Sequence, residues 1–204
     1  GKLVQYADDT TLCFSGKSSE VLEQQAFVDI NNCVQHFNSL NLTANSSKSN
    51  VVNFSLRAVE NHCGPAVMMA DSVLDEISSC KFLGIHLDRG LTWNEHIDHV
   101  CAKISSGIFV LRSLAKYCPS QILTTAYYGL IYPHLTYGLV LWGGCSNTQF
   151  QRVFRLQKKA IRIIAKINHR ESCRPVFKKL QLLTRPCLNI LETTLFCLHK
   201  CALT

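Results

Sequence analysis

Tyr6-Ala7-Asp8-Asp9, near the start of the chain, carries the strongest chemical signal. Two adjacent carboxylates sit between an apolar start (Leu3, Val4, Tyr6) and a largely apolar continuation (Thr11, Leu12, Cys13, Phe14). Alternation on both sides predicts two short strands with the acidic pair at their junction. Two negative charges fixed at a strand tip repel each other. A divalent cation with oxygen ligands, Mg²⁺ or Mn²⁺, is the usual resolution. An Asp-Asp pair is also ordinary turn chemistry, because Asp tolerates turn geometry and bonds its own backbone. The four residues alone leave both readings open.

A second chemistry lies far downstream. Arg152, Arg155, Lys158, Lys159, Arg162 and Lys166 cover one side of a predicted helix, while Phe150, Val153, Phe154, Ala160, Ile161 and Ile164 cover the other. Arg155, Lys159, Arg162 and Lys166 recur at spacings of three and four, which places them on one ridge. From Arg152 through Arg185 there are eleven basic residues and one acid, Glu171. Such a ridge can follow a nucleic-acid duplex by its phosphates without reading sequence. The alternative is a solvated surface.

The whole-chain balance favours phosphate binding. The 204 residues carry a net charge of +7, but residues 1–100 hold 6 Lys/Arg against 12 Asp/Glu and residues 101–204 hold 15 against 2. An acidic half suits divalent metals and a basic half suits phosphate backbones. The hydrophobic share of 47% is enough for a real core and excludes global disorder. The eleven cysteines are scattered with no Cys-x-x-Cys, and an odd number cannot pair fully within one chain. They read as small hydrophobes in a reducing, intracellular setting. Cys197, His199 and Cys201 would point to different faces of a helix, which argues against zinc. His134, His169 and His199 occur singly and read as structural. The run from Tyr117 to Gln151 lacks Asp, Glu, Lys and Arg. Pro119, Gln121, Thr124, Thr125, Pro133, His134 and Thr136 interrupt it, so a buried core rather than a membrane span is expected.

The elements that must position these groups follow from periodicity. Ser18 or Ser19 caps a helix to about Ser39, with Leu22, Ala26, Ile30, Cys33, Val34 and Phe37 along one stripe. Asn41 to Asn50 is turn-rich. Val51–Phe54, Val67–Ala70, Val73–Leu74 and Lys81–Leu87 are expected strands, and Asn61–Pro65 an intervening loop. After Gly90 the pattern is helical. Thr92 caps a helix through about Tyr117, with Ile97, Val100, Cys101, Ile104, Ile108, Leu111 and Leu114 inward. A second helix runs from Pro119 to about Tyr132 and is ended by Pro133. Gly143-Gly144 is a break, and a third helix runs from Asn147 or Thr148 to about Ile167. The tail from Asn168 reads as a linker with weak helical segments at 175–181 and 186–201.

In order and spacing the chain resembles the second half of a non-LTR retrotransposon (LINE-type, jockey-like) reverse transcriptase. Tyr6-Ala7-Asp8-Asp9 resembles the catalytic palm hairpin. Leu40 to Ser49 with Phe54 resembles the next palm motif, where a lysine precedes a short strand. Phe82-Leu83-Gly84-Ile85, Leu87-Asp88, Leu91-Thr92-Trp93 and His96-Ile97 resemble the stretch from palm to thumb. Tyr128, Pro133, Leu135, Tyr137-Gly138 and Trp142 resemble the thumb core, and Leu156 to Arg162 its basic helix.

The resemblance implies an α+β fold: a partial palm over 1–90, a helical thumb over 91–168 and a C-terminal linker over 169–204. It implies RNA-directed DNA synthesis, in which a primer 3′-hydroxyl attacks a dNTP with two Mg²⁺ (or Mn²⁺) ions about 4 Å apart. Asp8 is the expected metal ligand, with Asp9 beside it. Tyr6 and Ala7 would lie at the primer end, Tyr6 being equally readable as an ordinary strand aromatic. Lys48 would donate to the pyrophosphate leaving group, or stand in solvent. Gly84 would let a primer phosphate approach, or mark a strand bulge. Trp93 is expected as a core anchor. RNA template, DNA primer, RNA–DNA hybrid and dNTP are the implied partners, with no membrane. The nucleus is the implied place for copying and the cytoplasm for ribonucleoprotein assembly. The start at Gly1, with the acidic pair in the first ten residues, reads as a piece whose fingers and upstream palm Asp are missing. The chain alone is then expected to be inactive. The rival reading is a non-catalytic nucleic-acid-binding remnant of a truncated element. A domesticated protein–protein module is a third, which the basic ridge opposes.

Overall fold

The computed structural model describes residues 1–54 and 64–202. The chain divides into two compact units, Gly1–Cys80 with Asp88–Leu91, and Lys81–Leu87 with the chain from Thr92 onward.

The first unit opens with β1 (Lys2–Tyr6) and β2 (Asp9–Cys13), paired antiparallel from Lys2↔Cys13 to Tyr6↔Asp9. The two-residue turn at Ala7-Asp8 sets this register. Helix α1 (Ser19–Ser39) starts at Ser18, whose hydroxyl accepts from Val21 N at 3.4 Å and satisfies one otherwise orphan donor. Its expected stripe is real but thinly covered: Ala26 is buried, whereas Leu22, Ile30, Cys33, Val34 and Phe37 are half-buried. A 3-10 turn over Ser46–Lys48 follows. β3 (Asn50–Val51) pairs in parallel with β6 (Asp75–Glu76), and β4 (Met68–Met69) with β5 (Ser72–Val73) forms a tight hairpin through Ala70-Asp71. The Val51 strand is shorter than expected, ending before Val52. Of the expected Asn61–Pro65 loop, only Gly64 and Pro65 are among the described residues, and Cys63 lies outside them.

The expected single strand Lys81–Leu87 is a hairpin, β7 (Ser79–Phe82) and β8 (Ile85–Asp88). Leu83 (φ 46°) and Gly84 (φ 82°) make its turn. Positive φ at both central residues is the geometry that matches the twist of paired strands, and glycine accepts it without steric cost.

The second unit is helical: α2 (Asn94–Leu114), α3 (Ser120–Leu130), α4 (Tyr132–Thr136), α5 (Leu139–Trp142), α6 (Asn147–Ala165), α7 (Arg174–Lys179) and α8 (Arg185–Cys201). Pro133 does not end a helix. It sits in the first turn of α4, where a missing N–H is harmless. Thr92 is not the cap of α2; Trp93 holds that position in a left-handed conformation and packs against the core as expected. The core contains Ile97, Ile104 and Leu111 of α2, Leu123 and Tyr127 of α3, Trp142 of α5, and Val153, Ala160, Ile161 and Ile164 of α6. Gly107 lets α2 approach α3: a Cβ there would lie 2.9 Å from the Leu130 carbonyl oxygen.

The tail read as a linker is part of this core. Cys173, Phe177, Leu182 and Leu188 are buried in it. Their spacing was too irregular to signal one face, because three separate pieces of backbone deliver them. Among the described residues no helix is long and apolar enough to cross a membrane. The uncharged run from Tyr117 to Gln151 instead supplies buried Leu123, Tyr127, Ile131, Leu135, Leu139 and Trp142.

Candidate functional site

The acidic pair lies at the tip of the first hairpin. Ala7 and Asp8 are the two turn residues, and Asp9 opens β2 opposite Tyr6. Ala7 has φ 51°, the positive value that two-residue hairpins require at the first central position. For a residue with a Cβ this conformation costs about 1 kcal/mol. Ala70 in the β4–β5 turn has the same geometry (φ 52°), so the conformation belongs to the tight turn and not to the acidic pair. Asp8 and Asp9 are both exposed, so solvent and ligands reach the carboxylates. Tyr6 is 63% exposed. Tyr6 is the last residue of β1, as both the primer-end reading and the strand-aromatic reading expect.

The donor chemistry suits Mg²⁺ or Mn²⁺, since carboxylate oxygens are hard ligands. The donor number does not complete a site: among the described residues no group of three or more His, Cys, Asp or Glu is placed to hold a metal ion. Asp8 and Asp9 alone do not complete a site for such an ion.

Lys48 ends the 3-10 turn and is exposed. The turn is held by Asn45, whose Oδ1 accepts from Ser47 N at 3.0 Å and Ser47 Oγ at 2.7 Å. The stretch is therefore a shaped corner rather than a loose loop. Among the described residues no ion pair joins Lys48 to Asp8 or Asp9.

Gly84 occupies the β7–β8 turn, where a Cβ would meet the Tyr137 ring at 3.5 Å. The Tyr137 hydroxyl donates to the Leu83 carbonyl. The glycine thus has a local cause, its positive φ, rather than a bulge.

The basic helix is α6, and its cations are not equivalent. Arg152 is engaged: it donates to Asp98 Oδ1 and to Gln149 Oε1, both at 2.6 Å. Lys158 stands 4.5 Å from the centre of the Phe154 ring. Arg162 donates through Nε and Nη2 to the Glu171 carbonyl, at 3.2 and 3.1 Å. Lys166 caps the helix in a left-handed conformation (φ 53°) and so leaves the ridge line. Arg155 and Lys159 are exposed and form no ion pair among the described residues. Of the expected inward residues, Val153, Ala160, Ile161 and Ile164 are buried and Phe150 and Phe154 half-buried.

Sequence reasoning missed three polar features of the second unit. Gln157 is fully buried on α6; its Nε2 donates to Tyr127 Oη at 3.0 Å and Leu183 O at 2.9 Å, and its Oε1 accepts from Arg185 N at 2.7 Å. Arg185 is fully buried, 4.1 Å from the centre of the Phe150 ring and 5.0 Å from that of Trp142, and donates to Gly143 O at 3.3 Å. His86, His96 and His99 cluster, with the His86 ring 4.9 Å from His99 and 6.3 Å from His96. Burial, then His86 and His99, push the His96 pKa down to about 4. His134 was read as isolated, yet it lies within electrostatic reach of His99. Only the i, i+3 spacing of His96 and His99 could have signalled this cluster from sequence.

Hairpin, motif series and basic helix direct the comparison toward one class, the RNA-directed DNA polymerases of mobile elements. The chain is 28% identical over 170 residues to a probable RNA-directed DNA polymerase from transposon X-element of Drosophila melanogaster, covering 79% of this chain and 18% of that protein. It is 28% identical over 172 residues to the RNA-directed DNA polymerase from mobile element jockey of the same fly, covering 80% and 18%. A probable RNA-directed DNA polymerase from transposon BS, also of that fly, is 25% identical over 165 residues, covering 79% and 18%. The resemblance to non-LTR retrotransposon polymerases is thereby borne out over about four fifths of this chain. The chain spans about a fifth of the length of the curated relatives it matches. No family profile and no solved structure matches it.

Proposed function

We propose that this chain is the palm-and-thumb portion of an RNA-directed DNA polymerase of a non-LTR retrotransposon. The observation that carries the reading is the hairpin itself: Ala7-Asp8 at the turn and Asp9 opposite Tyr6, in a chain similar to three mobile-element polymerases. Asp8 and Asp9 would hold Mg²⁺ or Mn²⁺, which when bound supplies charge stabilisation for nucleotidyl transfer. Tyr6 and Ala7 would bound the primer end. Lys48 would offer a proton toward the leaving pyrophosphate, and the exposed cations of α6 would follow the template–primer duplex by its phosphates.

A second reading has its own support. Among the described residues no third acid joins Asp8 and Asp9. The chain by itself would then be a nucleic-acid-binding remnant without turnover. Both readings expect no turnover from this chain alone, so primer extension separates them only in a polypeptide that adds an upstream palm and fingers. The 204-residue chain should incorporate no nucleotide with Mg²⁺ or Mn²⁺, and incorporation that depends on Asp8 would overturn that expectation. In a polypeptide with the upstream palm and fingers restored, Asp8→Asn should abolish synthesis, a loss of several kcal/mol of transition-state stabilisation. Near-normal turnover of that variant would remove the metal role from Asp8.

A further inference from the structure

We infer that α7 is a second phosphate-binding element, continuous with α6, so that the nucleic-acid surface of this chain is built from two helices. The inference rests on the nucleic-acid reading above. Arg174, Lys178 and Lys179 of α7 are exposed, as is Arg170 just before it. None of the four forms an ion pair among the described residues.

Short helices with exposed lysines are common. Three observations set this one apart. First, α7 is held in place: Cys173 and Phe177 are buried in the core that holds α6. Second, the start of α7 lies directly against the basic part of α6. The Cys173 thiol donates to the Lys158 carbonyl at 3.5 Å, and the Arg162 guanidinium grips the Glu171 carbonyl two residues upstream. Third, the one acid of this stretch, the exposed Glu171, is engaged by its own loop: its Oε1 accepts from Asn168 N at 2.8 Å. It forms no ion pair with any of the surrounding cations among the described residues.

Like charges gathered on one fixed surface repel one another, and a polyanion relieves that repulsion. A duplex backbone, with its regular phosphates, is the polyanion that two adjoining helices can follow together. Arg162 acquires a specific part here: it commits its guanidinium to the Glu171 carbonyl and so positions α7 rather than touching phosphate.

The test is fluorescence anisotropy of the full chain with a labelled DNA duplex of about 20 base pairs and arbitrary sequence, across a salt series. Arg174→Gln, Lys178→Gln and Lys179→Gln together form the α7 variant, and Arg155→Gln with Lys159→Gln the α6 variant. Thermal melts confirm that each folds. Every phosphate that a variant no longer neutralises should lower the slope of log K against log salt by roughly 0.9. The α7 variant should bind at least about tenfold more weakly at low salt, with a shallower slope. Unchanged affinity and slope in the α7 variant, with both reduced in the α6 variant, overturn the two-helix surface and leave the nucleic-acid reading standing. Unchanged binding in both variants overturns both. Weakened binding in the α7 variant alone also overturns the continuous surface. A duplex with neutral methylphosphonate linkages that binds as well as the ordinary one would remove the phosphate basis.

Discussion

Gln157 and Tyr127 meet in a fully buried position, the Gln157 amide donating to the Tyr127 hydroxyl at 3.0 Å. The same amide serves Leu183 O and Arg185 N, so one side chain of α6 satisfies groups on α3, on the start of α8 and on the turn before it. Removing a partner from a buried group costs that group its full desolvation penalty. Burial pushes the Tyr127 phenol pKa up to about 12, so the hydroxyl stays protonated at any ordinary pH.

Gln157→Leu should therefore lower stability by roughly 3 kcal/mol, and Tyr127→Phe by roughly 1 kcal/mol. Urea denaturation of the single and double variants measures both. Strict additivity would show that the two side chains are not energetically coupled.

Stability should fall in acid through His96. Its pKa is about 4 in the folded chain against 6.5 for the ordinary side chain. The unfolded chain therefore binds the extra proton between these values. The contribution is whole above pH 6.5 and is lost as pH drops toward 4, on the order of 1–2 kcal/mol by pH 5. His86 and His99 face it, and Lys81, Lys103 and His134 act on His99, all groups that disfavour the charged form. Denaturation midpoints at about pH 7 and about pH 5 test this. His96→Gln should flatten the difference, and an equal pH dependence in that variant would assign the effect elsewhere.

Lys48→Ala, in the restored polymerase, should slow single-turnover nucleotide addition while leaving duplex affinity unchanged. A proton donor to the leaving group contributes about 10²–10⁴-fold in rate. An unchanged rate would return Lys48 to solvent.

Gly107→Ala should destabilise the second unit by about 1–3 kcal/mol, since the new methyl meets the Leu130 carbonyl at 2.9 Å and backbone cannot step aside. Gly84→Asn, by contrast, should melt near the parent temperature, because Asn tolerates a positive φ. If synthesis in the restored polymerase then falls while stability holds, the glycine serves close approach of a ligand as well as the turn.

Where one face of an element meets the core, sequence was a good guide. The Ser18 cap and the stripe of α1, the stripe of α2 and the inward face of α6 all follow from spacing. The β1–β2 hairpin was legible because alternation resumes on both sides of Ala7-Asp8. The β7–β8 hairpin was not, because Leu83-Gly84 interrupts an apolar run with no polar turn residue. Pro133 misled because proline marks a helix start as readily as a helix end. Gln157 and Arg185 were illegible for a deeper reason. A polar residue on a basic amphipathic stretch reads outward, and only the arrangement of three helices shows which polar groups are turned in. The candidate site was legible as residues but not as an assembly: the hairpin tip and basic face appeared, whereas the engagement of Arg152 with Asp98 and of Arg162 with Glu171 depends on partners in other segments.

The placement of His96 also gives the chain an optical reporter. Only two tryptophans are present. The Trp142 ring centre lies 5.5 Å from that of His96, and the Trp93 ring centre 6.4 Å from it. A protonated imidazole quenches indole emission more strongly than a neutral one. The intrinsic fluorescence of the unlabelled protein should dim as His96 takes its proton, so a single emission trace can follow that ionisation without a probe.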